Sequence, residues 1–242
     1  MMNSTAVEPA VAVDGLVVHR GKVEVLRGVS CTLPRGSITG LLGPSGCGKT
    51  TLMRTIVGVQ HLTSGTVTVL GLSAGDKELR HRMAYTSQAV SVYRDVTVRD
   101  NVRYFARLVG AEQGAVDEAI ERVELTDFAG RRVDELSGGQ ANRASLACAL
   151  VGSPEVLMLD EPTVGLDPLT RESLWQTFRS IADDGTTILV SSHVMDEATR
   201  CDSVLCMRDG RFLAHEPIAD IQRRTGTTNP DAAFLALVKE AA

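Results

Sequence analysis

Nine residues, Gly43 to Thr51 (GPSGCGKTT), constrain this chain more than any other stretch. They fit G-x-x-x-x-G-K-[ST], in which a glycine-rich turn between a strand and a helix presents its backbone to phosphate. The flanks agree: Ile38, Thr39, Gly40, Leu41 and Leu42 read as a short buried strand, and Leu52, Met53, Ile56 and Val57 recur at helical spacing. Gly43, Gly46 and Gly48 let the backbone curl so that successive N–H groups converge, and the helix N-terminus adds partial positive charge. Lys49 supplies a compact cation for outer phosphates, while the Thr50 hydroxyl suits a magnesium ligand. A bound nucleoside triphosphate is the expectation. Cys47 lies beside Lys49 and the helix N-terminus, a setting that lowers a thiol pKa and favours the reactive thiolate; the plainer reading is a small residue in a tight turn.

Composition narrows the partners. The 242 residues carry a net charge of -5, so no basic face for gripping nucleic acid is expected. No run approaches the ~20 apolar residues of a membrane helix, and the N-terminus lacks a basic region followed by an apolar stretch. A soluble cytosolic chain is expected. The five cysteines form neither C-x-x-C pairs nor zinc-like spacings with histidine, so reduced thiols are expected, with Cys206 in a strand-like core run.

In chain order, Val11 to Val18, Glu24 to Arg27 and Val29 to Leu33 read as short antiparallel strands, and Thr66 to Leu70 returns to the same small sheet. From Thr97 the texture turns helical. Val98, Val102, Phe105 and Leu108 make a stripe behind a capping box of Thr97 and Asp100, and Val116, Ile120 and Val123 make a second helix. A helical insertion over about 95–135 follows. Ser137 in Leu136-Ser137-Gly138-Gly139-Gln140 is an N-cap for a helix burying Leu146, Ala149 and Leu150. The two glycines after the cap are poor helix formers, which suggests close approach of a phosphate. Val156 to Leu159 is an apolar strand ending in Asp160 and Glu161, at the sheet edge where open α/β folds bind ligands. Asp160 suits magnesium and Glu161 suits a general base for an attacking water. Asp167-Pro168 opens another helix, with Leu174, Phe178 and Ile181 inward, and Thr187 to Val190 leads to Ser191, Ser192 and His193. The chain closes with Ser203 to Met207, a turn at Asp209-Gly210, Arg211 to Ala214, and a helix capped by Asn229 and Pro230 with Phe234, Leu235 and Val238 inward.

Together GPSGCGKT, Gln88, LSGGQ at 136–140, VLMLDEP at 156–162, GLD at 165–167 and His193 resemble the nucleotide-binding domain of ATP-binding cassette (ABC) proteins along nearly the whole chain. The resemblance implies an α/β P-loop NTPase core with an antiparallel β-subdomain and a helical insertion, all in one domain over 1–242, closed by a hairpin and helix over about 205–242. It implies a magnesium-dependent ATPase. Gly43, Pro44, Ser45, Gly46, Cys47, Gly48, Lys49, Thr50 and Thr51 would hold the triphosphate of ATP. Thr50, Gln88 and Asp160 would hold Mg2+, Glu161 would be the base, Gln88 would assist it, and His193 would contact the γ-phosphate. Ser137, Gly138, Gly139, Gln140 and Asp167 would cover ATP bound to a second copy, in a head-to-tail dimer with another such domain, itself or a relative. The resemblance further implies a separate transmembrane permease, holding the chain at the cytoplasmic face of the membrane.

Two features depart from the family pattern. Arg20, with His19 beside it, stands where many relatives place an aromatic residue against adenine, and Ala141 and Asn142 replace the usual residues after LSGGQ, leaving Arg143. Arg20 is expected to lay its guanidinium on the base. Exporter-type cassettes are the resemblance nearest to TSGTVTVLG and to YTSQAVSVYRDVTVRDNVRYFARLVG, so export of a drug, lipid or glycan-like substrate is expected. The alternatives are an importer subunit and a soluble, non-transport ABC ATPase.

Overall fold

The apolar runs around the phosphate loop become the centre of one sheet. The computed structural model describes residues 8–89 and 91–241. In it, β3 (Ile38–Leu42) lies between β8 (Thr187–Ser192) and β9 (Ser203–Arg208), parallel to both. β7 (Val156–Asp160) and β6 (Met83–Thr86) extend the sheet on one side, and β10 (Arg211–Glu216) pairs antiparallel with β9 on the other. Alternate residues feed opposite faces: Leu157, Leu159, Ile188 and Val190 join one core, while Val156, Met158 and Leu189 join another. Burial on both faces is why these strands read as unbroken apolar runs rather than alternating ones.

The second sheet is antiparallel, in the order β2-β1-β4-β5. It comprises β1 (Val11–Arg20), β2 (Val23–Leu33), β4 (Ser64–Val69) and the two-residue β5 (Leu72–Ser73). α1 (Lys49–Val57) sits between the sheets, its Leu52, Met53 and Ile56 in the same core as Val13, Leu26 and Val69 of the antiparallel sheet. The two strands expected over 24–33 are one. Gly28, with φ of 68°, falls at a register shift where Leu16 faces Val29 and Val17 faces Arg27, so the glycine bends the strand without ending it.

Against the other face of the parallel sheet pack α2 (Val98–Val109), α3 (Ala115–Arg122), α4 (Gly138–Leu150) and α5 (Pro168–Asp183), so the helical region runs on past 135 into α4. The stripe expected on α2 is corrected at its end. Val98, Val102 and Ala106 are buried, but Leu108 is 58% exposed, because the two three-residue steps from Val102 through Phe105 to Leu108 fall short of 3.6 residues per turn and drift off the buried face. The Thr97–Asp100 box is half formed: the Asp100 amide donates to Thr97 Oγ1, yet the Asp100 carboxylate accepts from that same hydroxyl rather than from the Thr97 amide. The complete box lies at Ser137 and Gln140.

After β10 come two helices rather than one, α6 (Ile218–Thr225) and α7 (Pro230–Glu240). Asn229 caps α7 through its side chain, as expected. The inward face is only partly as expected: Phe234 packs against the core that buries Ala233 and Leu237, but Leu235 is 58% exposed. Among the described residues no helix is long and apolar enough to cross a membrane.

Candidate nucleotide-binding site

The C-terminal ends of β3, β7 and β8 bring the phosphate loop, the acidic pair and the serine–histidine segment to one edge. Leu42 faces Ser192 and Asp160 faces Ser191 in the sheet register, and the Gly43 amide donates to the Ser192 carbonyl at 3.3 Å. Glycine is required at 43, since a Cβ there would meet the Met207 carbonyl oxygen at 2.2 Å. Gly48 precedes α1 at φ of 116°, turning the chain from loop to helix without a side-chain cap. The helix therefore starts with its first amides free for phosphate.

Lys49 is buried at 5% exposure, and its Nζ donates to the Gly43 carbonyl at 2.8 Å and the Pro44 carbonyl at 3.2 Å. The loop thus folds around its own cation. Lys49 Nζ also lies 3.6 Å from Glu161 Oε1. Thr50 Oγ1 donates to Asp160 Oδ2 at 2.8 Å, linking the loop hydroxyl to the strand carboxylate. Gln88 Nε2 donates to Glu161 Oε2 at 3.3 Å, and His193 Nδ1 lies 3.3 Å from the same oxygen. Glu161 has φ of 51°, a left-handed conformation that is strained for a side-chain-bearing residue.

Two residues complete the network that sequence reasoning gave no role. Ser191 Oγ donates to Asp160 Oδ1 at 2.7 Å and accepts the Glu161 amide at 2.9 Å, fixing both acids at once. Tyr85 OH donates to Asp160 Oδ2 at 3.2 Å, and its own proton is held more tightly by burial and by the Asp160 charge. The signal for Ser191 was its place at a strand end beside His193. Tyr85 carries a weak signal in the sequence because β6 is only four residues long and lies at the edge of the sheet, paired with β7 alone.

The signature segment, LSGGQ at 136–140, lies mostly in a second cleft, although Gly138 also borders a cleft with Gln88 and Glu161. Ser137, Gly138, Gly139 and Gln140 share a cleft with Gly165, Leu166, Asp167 and Thr170, whereas the phosphate loop shares its cleft with Arg20, Val25, Gln88 and Glu161. Asp167 caps α5, accepting the Leu169 and Thr170 amides at 3.0 and 3.1 Å, and the Thr170 hydroxyl and amide hold its carboxyl below the usual range. The two glycines have different reasons. A Cβ on Gly139 would meet the Thr170 methyl at 2.8 Å, so packing alone demands glycine there; a Cβ on Gly138 would meet nothing within 4 Å. Arg143, behind them, bonds the Val123 carbonyl and Ser173 Oγ and pairs with Glu124, stapling α4 to its neighbours.

Arg20 reaches the phosphate cleft, while His19 turns aside to bond Thr63 Oγ1 through its Nδ1 at 3.1 Å. The thiolate expected at Cys47 is not supported. The thiol is 5% exposed, and its burial pushes the pKa up, outweighing the charge of Lys49 that pulls it down.

The parallel sheet with a glycine-rich loop running from β3 into α1 defines a P-loop nucleotide-binding domain. Within that class the chain belongs to the ABC transporter family, whose model matches residues 26–164. It is 40% identical over 205 residues to the "Probable multidrug ABC transporter ATP-binding protein YbhF" of Escherichia coli (strain K12), an alignment covering 82% of this chain and 36% of that protein. The chain thus spans about a third of that relative's length. It is 39% identical over 210 residues to "Nod factor export ATP-binding protein I" of Burkholderia lata, covering 84% of this chain and 69% of that one. Among solved structures, a dimeric ATP-binding cassette in a post-hydrolysis state, bound to ADP and Pi, superposes with a TM-score of 0.78 at 25% identity, over 86% of this chain and 98% of that one.

Proposed function

We propose that the chain binds and hydrolyses ATP with Mg2+ and thereby drives a separate membrane permease, exporting a drug, lipid or glycan-like substrate. The carrying observation is convergence on Glu161: Lys49, Gln88 and His193, from three different segments, all reach its carboxylate. The oxygen donors of Thr50, Gln88 and Asp160 fit Mg2+, which when bound would neutralise charge on the β- and γ-phosphate oxygens. Lys49 and the amides from Gly43 to Thr51 bind the triphosphate, and Arg20 lies against the base. Glu161 takes the proton of the attacking water, with Gln88 and His193 orienting both. Water is excluded when Ser137 to Gln140 and Asp167 of a second copy close over the site, a reading supported by the dimeric cassette similar to this chain.

Export rather than import is favoured by the names of the similar proteins, a probable multidrug transporter subunit and a Nod factor export subunit. Exposed Tyr93, Tyr104 and Leu108 on and before α2 offer an apolar seat for a permease helix. Such a seat supports attachment to the permease at the cytoplasmic face of a membrane. The test is Glu161→Gln, which keeps shape but cannot accept a proton: turnover should fall by about 10² to 10⁴ while ATP binding survives. Light scattering with Mg-ATP should then show a trapped dimer, and pull-down from membranes should recover a polytopic partner. Full turnover in Glu161→Gln removes the base, and recovery of ribosomes or DNA instead of a permease favours the soluble alternative.

A further inference from the structure

α5 begins at Asp167, on the face that meets a second copy, and the 3-10 segment Met195–Arg200 begins just after His193, at the hydrolytic centre. Side-chain bonds lace the two together. Arg200 Nη2 donates to Glu172 Oε2 at 2.6 Å, Arg179 Nη1 to Asp202 Oδ1 at 3.0 Å, and Arg179 Nη2 to the Arg200 carbonyl at 3.0 Å. These ties are substantially solvent-exposed, and such pairs hold weakly.

Between them lies a contact of another kind. Glu197 is 3% exposed, and neither of its carboxylate oxygens has a hydrogen-bond partner among the described residues. Arg171 Nε is also buried without an acceptor and lies 3.9 Å from Glu197 Oε1, beyond hydrogen-bond reach. One helical turn on, the indole Nε1 of Trp175 is buried and equally without an acceptor. A buried carboxylate with two unused oxygens, facing an Arg171 Nε that also lacks an acceptor, is a poor resting place for these groups. A small approach of α5 to the 3-10 segment would bring Arg171 Nε within hydrogen-bond reach of Glu197 Oε1. Arg171 is also fixed at its other end: its Nη2 donates to the Leu166 carbonyl at 3.3 Å, one residue before Asp167.

We infer that the Arg171–Glu197 contact is a strut that tightens when a second copy presses on the Asp167 corner, and so sets His193 against Glu161 for hydrolysis. Arg171 and Glu197 are positioning residues: one holds the corner through Leu166, the other anchors the segment four residues after His193. This rests on the ATPase reading above. It adds a physical link between dimer closure and the hydrolytic centre within each chain.

Steady-state ATPase assays on Arg171→Met, Glu197→Gln and the double variant test it, with urea unfolding as the control for folding. Each single change should lower kcat by about ten- to a hundredfold, the cost of a small misplacement, and leave KM within about twofold because the phosphate loop is untouched. The double variant should fall no further than the worse single, since both remove one link. Arg171→Lys keeps a cation toward Glu197 and should recover part of kcat. Trp175 is the only tryptophan, so its emission should change on adding Mg-ATP to Glu161→Gln and stay unchanged when Arg171→Met is added. Wild-type kcat in both single variants, or losses that multiply in the double, overturns the strut. An inactive wild-type chain would instead sink the ATPase reading itself.

Discussion

The phosphate-loop half and the signature half of the proposed site solve the same problem, presenting donors to phosphate, in opposite ways. The loop half is satisfied within the chain around a buried cation: Lys49 is held by two loop carbonyls, and Thr50 by Asp160. The signature half is an exposed helix start whose cap, Ser137 with Gln140, is complete, and whose Gly138 faces open space. One half is therefore built for binding by a single chain, the other for a surface that arrives from outside. Damage to the first should cost affinity, and damage to the second should cost turnover.

Four experiments would break or sharpen that contrast. Ser137→Arg places bulk and charge on the open face and should lower turnover by about 10² to 10³, the usual cost of spoiling preorganised donors, with single-chain ATP binding intact; equilibrium binding of a fluorescent ATP analogue beside the ATPase assay checks this. Lys49→Ala should do the reverse, weakening ATP binding by about 10- to 100-fold as charge-assisted bonds are lost. Equal loss of affinity in both variants would erase the distinction. The glycine pair gives a finer cut, read by urea unfolding. Gly139→Ala should destabilise by about 1 kcal/mol or more, because the Thr170 methyl cannot retreat without disturbing the Thr170–Asp167 bonds. Gly138→Ala should leave stability equal or raise it by up to about 1 kcal/mol, yet still slow turnover. Smallest is Arg20→Ala, expected to weaken ATP binding only a few-fold, as befits an exposed cation–π contact of about 0.5 to 1 kcal/mol, while Arg20→Tyr should preserve it.

The fold's centre was legible because its signals are local: an apolar run of five, a loop with fixed glycines, a helix at 3.6-residue spacing. β3, α1, β7 and β8 all carry such runs. What escaped depends on distant partners. β6 becomes a strand only by pairing with β7, and with it went the placement of Tyr85 against Asp160. Glu161, Gln88 and His193 could be named individually, but their meeting on one carboxylate needed the sheet register. Cys47 shows the opposite failure. Its sequence neighbours argued for a thiolate, and the burial that overrules them comes from the fold around Gly43.

The position of β3 between β8 and β9 also sets an order of events at the ribosome. The Gly36 amide waits for the Thr187 hydroxyl, 151 positions later, and the Ile38 amide for Asp202, 164 positions later. At about 5–20 residues per second, the nascent phosphate loop therefore spends roughly 8 to 30 s on a strand with both edges bare. During synthesis nucleotide cannot help the chain fold, because the half of the site contributed by β7 and β8 has not yet been made. A cell that overproduces this chain should need holding chaperones for its first half, and bound ATP can rescue only completed copies.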